Sequence, residues 1–103
     1  MDGFVNRYSC VLRFGKRGDK ACNHYHKEKS EIFYALHGEL RVVLQDIVTG
    51  EREELHLTAG DNRFIYVPST VAHVVVSETD DDALLVLATR SERESDQFAY
   101  EVV

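Results

Sequence analysis

Eight short runs of β-branched and aromatic residues, separated by turn residues within about ninety positions, predict an all-β domain built as a barrel or sandwich. Two further observations agree. One polar-apolar alternation reads as a hairpin, and nowhere does an apolar stripe of helical period persist. In chain order the predicted strands are Phe4–Phe14, Ala21–His26, Glu31–Leu36, Glu39–Asp46, Glu51–Leu57, Phe64–Val67, Ala72–Ser77 and Ala83–Thr89. The hairpin sets Leu40, Val42 and Leu44 inward and Arg41, Val43 and Gln45 outward, turns at Val48-Thr49-Gly50, and returns through the polar Glu51–Glu54 along a rim. Ala83–Ala88 is apolar on both faces, which suits a strand covered on both sides; periodicity alone leaves a short buried helix open. Ser91–Gln97 is polar and acidic, the one place for a helical turn or a frayed segment.

The chain has 103 residues, of which 44% are hydrophobic, enough to give one domain over residues 1–103 a core without disulfide staples. Acidic residues outnumber basic ones by 18 to 12, for a net charge of −6, and no Lys/Arg run interleaves with aromatics. Nucleic acid and anionic membrane are therefore not expected as partners. Met1–Tyr8 has no apolar leader core and no segment reaches the ~18 apolar residues of a membrane span, so a cytoplasmic protein is expected. Cys10 and Cys22 read as reduced thiols.

His24, His26 and Glu31 fall in one short stretch, and His73 lies far downstream beside Pro68. Side chains two apart in a strand share a face, with Cα atoms roughly 6.7 Å apart, so His24 and His26 can converge while Tyr25 packs on the other side. Lys27–Ser30 reads as a solvated turn that returns Glu31 to the histidines, and His73 must come from a distant strand. Imidazole nitrogen suits zinc, iron and nickel, and carboxylate oxygen suits manganese; a divalent ion of one of these kinds is the expected cofactor. Gly38 permits a positive φ at a strand-to-strand turn, and Pro68 fits the start of a loop. His37 and His56 read as ordinary exposed histidines, Cys22 as a small buried side chain on the face of His24, and Glu78–Asp82 as a charged loop.

The series Gly18, His24-Tyr25-His26, Glu31, Gly38 resembles the first motif of the cupins at every fixed position, and Pro68 with His73 agrees with part of their second motif, where Asn62, Thr70 and Ser77 depart from it. The resemblance runs from about Gly18 to Val86. It implies a double-stranded β-helix (jelly-roll) barrel, often a homodimer, with His24, His26, Glu31 and His73 as metal ligands. A weaker resemblance, through His24–Gly38, Thr49-Gly50-Glu51 and Leu84–Ala88, is to cupins that modify nucleotide-linked sugars, including ketoisomerases and the C-terminal cupin of capsular-sugar enzymes. Some of those relatives use the corresponding histidines as acid and base without metal.

An open divalent ion is a Lewis acid, suited to isomerisation or epimerisation of a sugar or other small oxygenated metabolite. The alternatives are an iron-dependent dioxygenase, served by the apolar set Phe33, Ile65 and Val75, and a ligand-binding module without turnover. Isomerisation also needs a general base. Tyr66 and Arg63 are the candidate catalytic residues, with Tyr34, Lys29 and Cys22 as further possibilities.

Overall fold

The computed structural model describes residues 4–90 and 96–103. Nine strands follow in order: β1 (Tyr8–Phe14), β2 (Lys20–Tyr25), β3 (Glu31–His37), β4 (Glu39–Asp46), β5 (Arg52–Thr58), β6 (Phe64–Val67), β7 (Val71–Ser77), β8 (Asp82–Ala88) and β9 (Phe98–Ala99). All eight predicted strands are present, and the alternative of a helix over Ala83–Ala88 falls away. Among the described residues no helix is long and apolar enough to cross a membrane.

The strands form two antiparallel sheets, one ordered β1-β8-β3-β6 and the other β5-β4-β7-β2-β9. Pairings β1 with β8, β2 with β7, β3 with β6 and β4 with β5 are those of one long hairpin rolled up on itself, which defines a jelly roll. Further pairings of β3 with β8 and β4 with β7 join the rolled arms into sheets. As the polar composition of Glu51–Glu54 predicts, β5 is an edge strand.

Between the sheets lies a core of Phe14, Phe33, Leu40, Val42, Leu57, Ile65, Val67, Val75, Leu84 and Val86. Phe33 and Leu84 are fully buried, and each such side chain contributes about 1.5–3 kcal/mol of transfer free energy. The alternation in β4 places Leu40 and Val42 inward as predicted. Val43 faces the other way yet is also buried, because a second apolar cluster of Val43, Ala72, Val74 and Val76 on the outside of the sheet is covered by Val102 and packed by Tyr25, Tyr100 and Val103. The chain end is held there by polar contacts. Asn23 Oδ1 accepts from the amides of Val102 (2.9 Å) and Val103 (3.3 Å), and Arg52 donates to the Val102 carbonyl at 2.8 Å.

One end of the barrel is closed by Asp82, which is fully buried rather than part of a charged loop. Its carboxylate accepts from the hydroxyls of Ser77 and Thr79 and from the amides of Glu39 (3.1 Å) and Thr79 (3.2 Å). Burial pushes the carboxyl pKa up, but these donors outweigh burial and hold it below its ordinary value. Gly38, at φ +78°, passes so close that a Cβ there would overlap the Asp82 carboxylate. Gly50 has the same φ with nothing within 4 Å, so the two glycines separate backbone strain from the close approach.

Gly50→Ala should cost about 1–2 kcal/mol, the left-handed penalty alone, and Gly38→Ala clearly more. Equal urea midpoints for the two variants would show that the Asp82 contact yields freely.

Candidate metal centre

The sequence brings Ala21, Cys22, Asn23 and His24 through a bulge. Ala21 pairs with Val75 and Cys22 with Val74, yet the next pair is His24 with His73, so Asn23 is the extra residue. Cys22 and Asn23 take φ of +84° and +55°. Strict alternation from the inward Ala21 would turn His24 outward; one inserted residue turns it back in. The conformational cost at two non-glycine residues thus aims a side chain into the barrel, a pattern typical of functional sites. Cys22 borders the same cavity as His24 and His26, as expected, although a bulge rather than strict alternation brings Cys22 and His24 together there.

His24 and His26 come from β2 and the residue after it, Glu31 opens β3, and His73 lies on β7 opposite His24. One donor atom from each of these four residues lies within 4.8 Å of the others. Glu31 Oε1 is 3.3 Å from His26 Nε2 and 3.1 Å from His73 Nε2. His26, Glu31 and His73 are buried, and His24 is partly so.

Protonation follows from the second ring nitrogens. His26 Nδ1 lies 2.8 Å from the Asp96 carbonyl and His73 Nδ1 lies 3.1 Å from the Val71 carbonyl. A carbonyl oxygen only accepts, so each Nδ1 donates, and in the neutral ring each Nε2 is then a bare lone pair. His24 Nε2, His26 Nε2, Glu31 Oε1 and His73 Nε2 are all buried with no hydrogen-bond partner among the described residues. Buried polar atoms are ordinarily paired, and a carboxylate oxygen with two imidazole acceptors and the unpartnered nitrogen of His24 is a place that could hold a cation. Bonds of about 2.0–2.2 Å to a four-coordinate ion put donors roughly 3.4 Å apart, a separation that Glu31 Oε1 already has from His26 and His73, at 3.3 Å and 3.1 Å, within a set spread over 4.8 Å.

Electrostatics point the same way. Burial, then the neighbouring imidazoles of His73 and His26, lower the His24 pKa to about 3 against the attraction of Glu31. Burial pushes Glu31 up, but a proton carried on the facing His26 and His73 nitrogens outweighs burial and holds it well below the carboxylate range, and a cation between the same atoms acts in the same sense. At neutral pH the cluster therefore carries a carboxylate and an uncharged His24, the forms that bind metal.

His24, His26 and Glu31 border a cavity of about 340 Å³. Leu12, Phe33 and Val86 give it apolar walls, while Tyr8, Cys10 and Cys22 give it groups with a transferable proton. Tyr8 pairs with Ala88, which pairs in turn with Glu31, so Tyr8 and Glu31 share one row of the sheet about 10 Å apart. Cys10 and Cys22 are not joined by a disulfide.

The two predicted catalytic residues lie elsewhere. Tyr66 faces outward between the buried Ile65 and Val67, is 41% exposed, and donates to Ser30 Oγ at 3.3 Å. Arg63 is exposed just before β6. Neither borders the cavity beside the histidines. Tyr66 instead lines a groove with Pro68, Leu44 and Arg52. His37 and His56 are exposed, as expected. Lys29 is not part of a solvated turn: it is buried, and its charge contributes to lowering His24.

Sequence reasoning missed Asp96. Its carboxylate accepts from the amides of Lys27 (2.9 Å), Glu28 (3.1 Å) and Lys29 (3.3 Å), while its carbonyl holds His26. Within Ser91–Gln97 nothing distinguishes this acid from its neighbours, and apart from Asp96 and Gln97 that stretch lies outside the described residues.

A jelly roll whose β2, β3 and β7 converge three imidazoles and a carboxylate is a domain of the cupin class. Within that class the chain belongs to the family described as the polysaccharide biosynthesis C-terminal domain, whose model matches residues 7–97. Three solved structures show the same fold at low sequence identity. The capsular polysaccharide assembling protein CapF from Staphylococcus aureus is 18% identical with a TM-score of 0.84, over 91% of this chain and 28% of that one. The dTDP-4-dehydrorhamnose 3,5-epimerase from Bacillus anthracis is 14% identical with a TM-score of 0.85, over 91% and 58%. The 3,4-ketoisomerase QdtA from Thermoanaerobacterium thermosaccharolyticum, in complex with TDP-4-keto-6-deoxyglucose, is 19% identical with a TM-score of 0.79, over 90% and 65%. This chain thus spans between about a quarter and two thirds of these proteins. Comparison with curated proteins finds no match.

The lowered His24 pKa has a defined pH consequence. Below pH 6.5 the unfolded chain takes up a proton that folded His24 refuses until about pH 3, so metal-free stability falls as pH drops through that window. The urea midpoint should be lower at pH 5 than at pH 7.5, and His24→Gln should shrink the difference. An undiminished difference in that variant would place the effect elsewhere.

Proposed function

We propose that this domain is the centre of a sugar isomerase or epimerase, with a divalent manganese, iron, zinc or nickel ion held by His24, His26, Glu31 and His73. The observation that carries the reading is the set of four buried acceptor atoms with no partner among the described residues, three of their residues bordering one cavity. Family membership and the sugar-modifying neighbours support the substrate class, a keto sugar linked to a nucleotide. Bound there, a divalent ion supplies Lewis acidity toward a substrate carbonyl or enediolate oxygen.

The chain's own side chains do the rest. Leu12, Phe33 and Val86 exclude water beside the donors, which strengthens every electrostatic contact within the cavity. Glu31 keeps one negative charge in the cluster, and the carbonyls of Asp96 and Val71 keep two imidazoles oriented. Removing a proton beside a keto group needs a base, and we assign that role to Tyr8, which lines the cavity in the row of Glu31 and would accept the proton as the phenolate, becoming the phenol, and return it to the neighbouring carbon or oxygen. The reading includes action in the cytoplasm, where Cys10 and Cys22 stay reduced. It also includes a homodimer, supported by the exposed Val11, Leu36 and Phe64 on the outer face of the β1-β8-β3-β6 sheet.

In elemental analysis of the purified protein, His24→Ala and His73→Ala should bring metal content near background; unchanged stoichiometry would overturn the ligand set. With TDP-4-keto-6-deoxyglucose in deuterium oxide, the metal-loaded protein should exchange a proton at carbon next to the keto group. Tyr8→Phe should slow that exchange about 100-fold or more at unchanged metal content. Absence of exchange at full loading would sink the enzymatic reading.

A further inference from the structure

We infer that Asp96 is a positioning residue of the metal centre, delivered to it by the C-terminal strap Phe98–Val103. The inference rests on the proposed metal site but concerns groups outside the four donors.

One residue performs two tasks from one position. The Asp96 carboxylate, 5% exposed as a residue, collects the three successive amides of Lys27, Glu28 and Lys29, which connect His26 to Glu31. Its own carbonyl accepts from His26 Nδ1 at 2.8 Å. The turn between two donors and the tautomer of one donor are therefore set by a single buried residue. Three amide donors to a carboxylate are charge-assisted bonds, stronger than neutral ones, and in a buried setting they are costly to leave unmade.

What brings Asp96 there is the strap. Its strand β9 pairs Ala99 with His24 and Phe98 with Tyr25, so β2 lies between β7, which carries His73, and β9. Phe98 stacks on Tyr25 with ring centroids 5.3 Å apart, and Lys27 Nζ lies 4.5 Å above the Phe98 ring. Asn23, the bulge residue, exchanges three hydrogen bonds with Val102 and Val103, and its carbonyl accepts from Tyr100 at 2.9 Å. The same bulge that turns His24 inward thus anchors the strap that orients His26. Donor geometry and strap docking are coupled through shared residues, and by linkage a cation at the donors should tighten the strap.

The test uses the full chain, with and without Zn²⁺. In the metal-free parent, nitrogen NMR should show His26 as a single Nδ1–H tautomer, and in Asp96→Ala a mixture. Amide exchange at Lys27, Glu28 and Lys29 should accelerate at least tenfold in Asp96→Ala while exchange at Val75, in the core, stays unchanged. Zn²⁺ affinity, read by chelator competition, should fall about 10 to 100-fold. Asp96→Asn, which keeps an accepting oxygen, should lose less, and it carries the same comparison if the alanine variant does not fold. In a His26→Ala background Asp96→Ala should cost less Zn²⁺ affinity than in the parent, the remainder passing through the turn to Glu31. A fixed tautomer with unchanged turn exchange overturns the inference, as do Zn²⁺ losses that simply add to those of His26→Ala. If the parent takes up no Zn²⁺, the metal reading fails by itself, and the tautomer and exchange measurements still decide the role of Asp96.

Discussion

Four acceptor atoms aimed at one another with no hydrogen bond among them set the terms for one end of this barrel. Such a cluster is unfavourable by itself, because each buried lone pair has lost water without gaining a donor. Three strands and two backbone carbonyls hold it together nonetheless. The Asp96 and Val71 carbonyls keep protons on Nδ1, away from the centre, and the bulge at Cys22 and Asn23 turns His24 toward it. Strain and desolvation are concentrated in a few residues, and the core between the sheets must offset them.

The two buried carboxylates show how differently one chemical group is used. Asp82 and Glu31 are both inaccessible and both held below their ordinary pKa against the push of burial. Around Asp82 that balance comes from hydroxyl and amide donors that satisfy it, with Gly38 closing over the top. Around Glu31 it comes from the two imidazoles that face it, His26 at 3.3 Å and His73 at 3.1 Å, in the place a cation would otherwise fill. A satisfied carboxylate stabilises; an unsatisfied one beside three imidazoles is the observation on which the metal proposal rests. Asp82 therefore belongs to the fold, although the sequence shows it only as the last acid of a charged run, and Glu31 is the carboxylate left to the candidate site.

Features of the first rank are legible in the sequence when they are local. The eight strands and the inward faces of Leu40 and Val42 follow from alternation, while the set His24, His26, Glu31 and His73 is legible through its residue types and motif spacing rather than through strand parity. Hidden features depend on chain segments far apart. Asp96 is about seventy residues from the turn it organises and looks like any acid in a polar run. Val43 reads as an outward, exposed valine because the segment that covers it is the chain end, whose single short strand β9 has too few residues to show a period. Tyr66 stands out by its chemistry rather than by its face, and the pleat turns it outward, while Tyr8, in a stretch with no motif, shares a row with Glu31.

Sharing a row matters for the chemistry. On the proposed reading a base must reach a substrate carbon while an ion bound by His24, His26, Glu31 and His73 would polarise the oxygen next to it, so base and ligand set must border the same space and approach from different directions. Tyr8 lies on β1 and the imidazoles on β2 and β7, in opposite sheets, with Phe33 and Val86 forming the apolar wall near them. A keto sugar fitted into this cavity would present its carbonyl oxygen toward an ion held by the ligand set and one ring face to Tyr8. The Lewis-acid reading and the choice of Tyr8 therefore stand on one geometric condition, that of a single cavity bordered by both sheets. Tyr66 and Arg63 do not meet it, whatever their intrinsic reactivity.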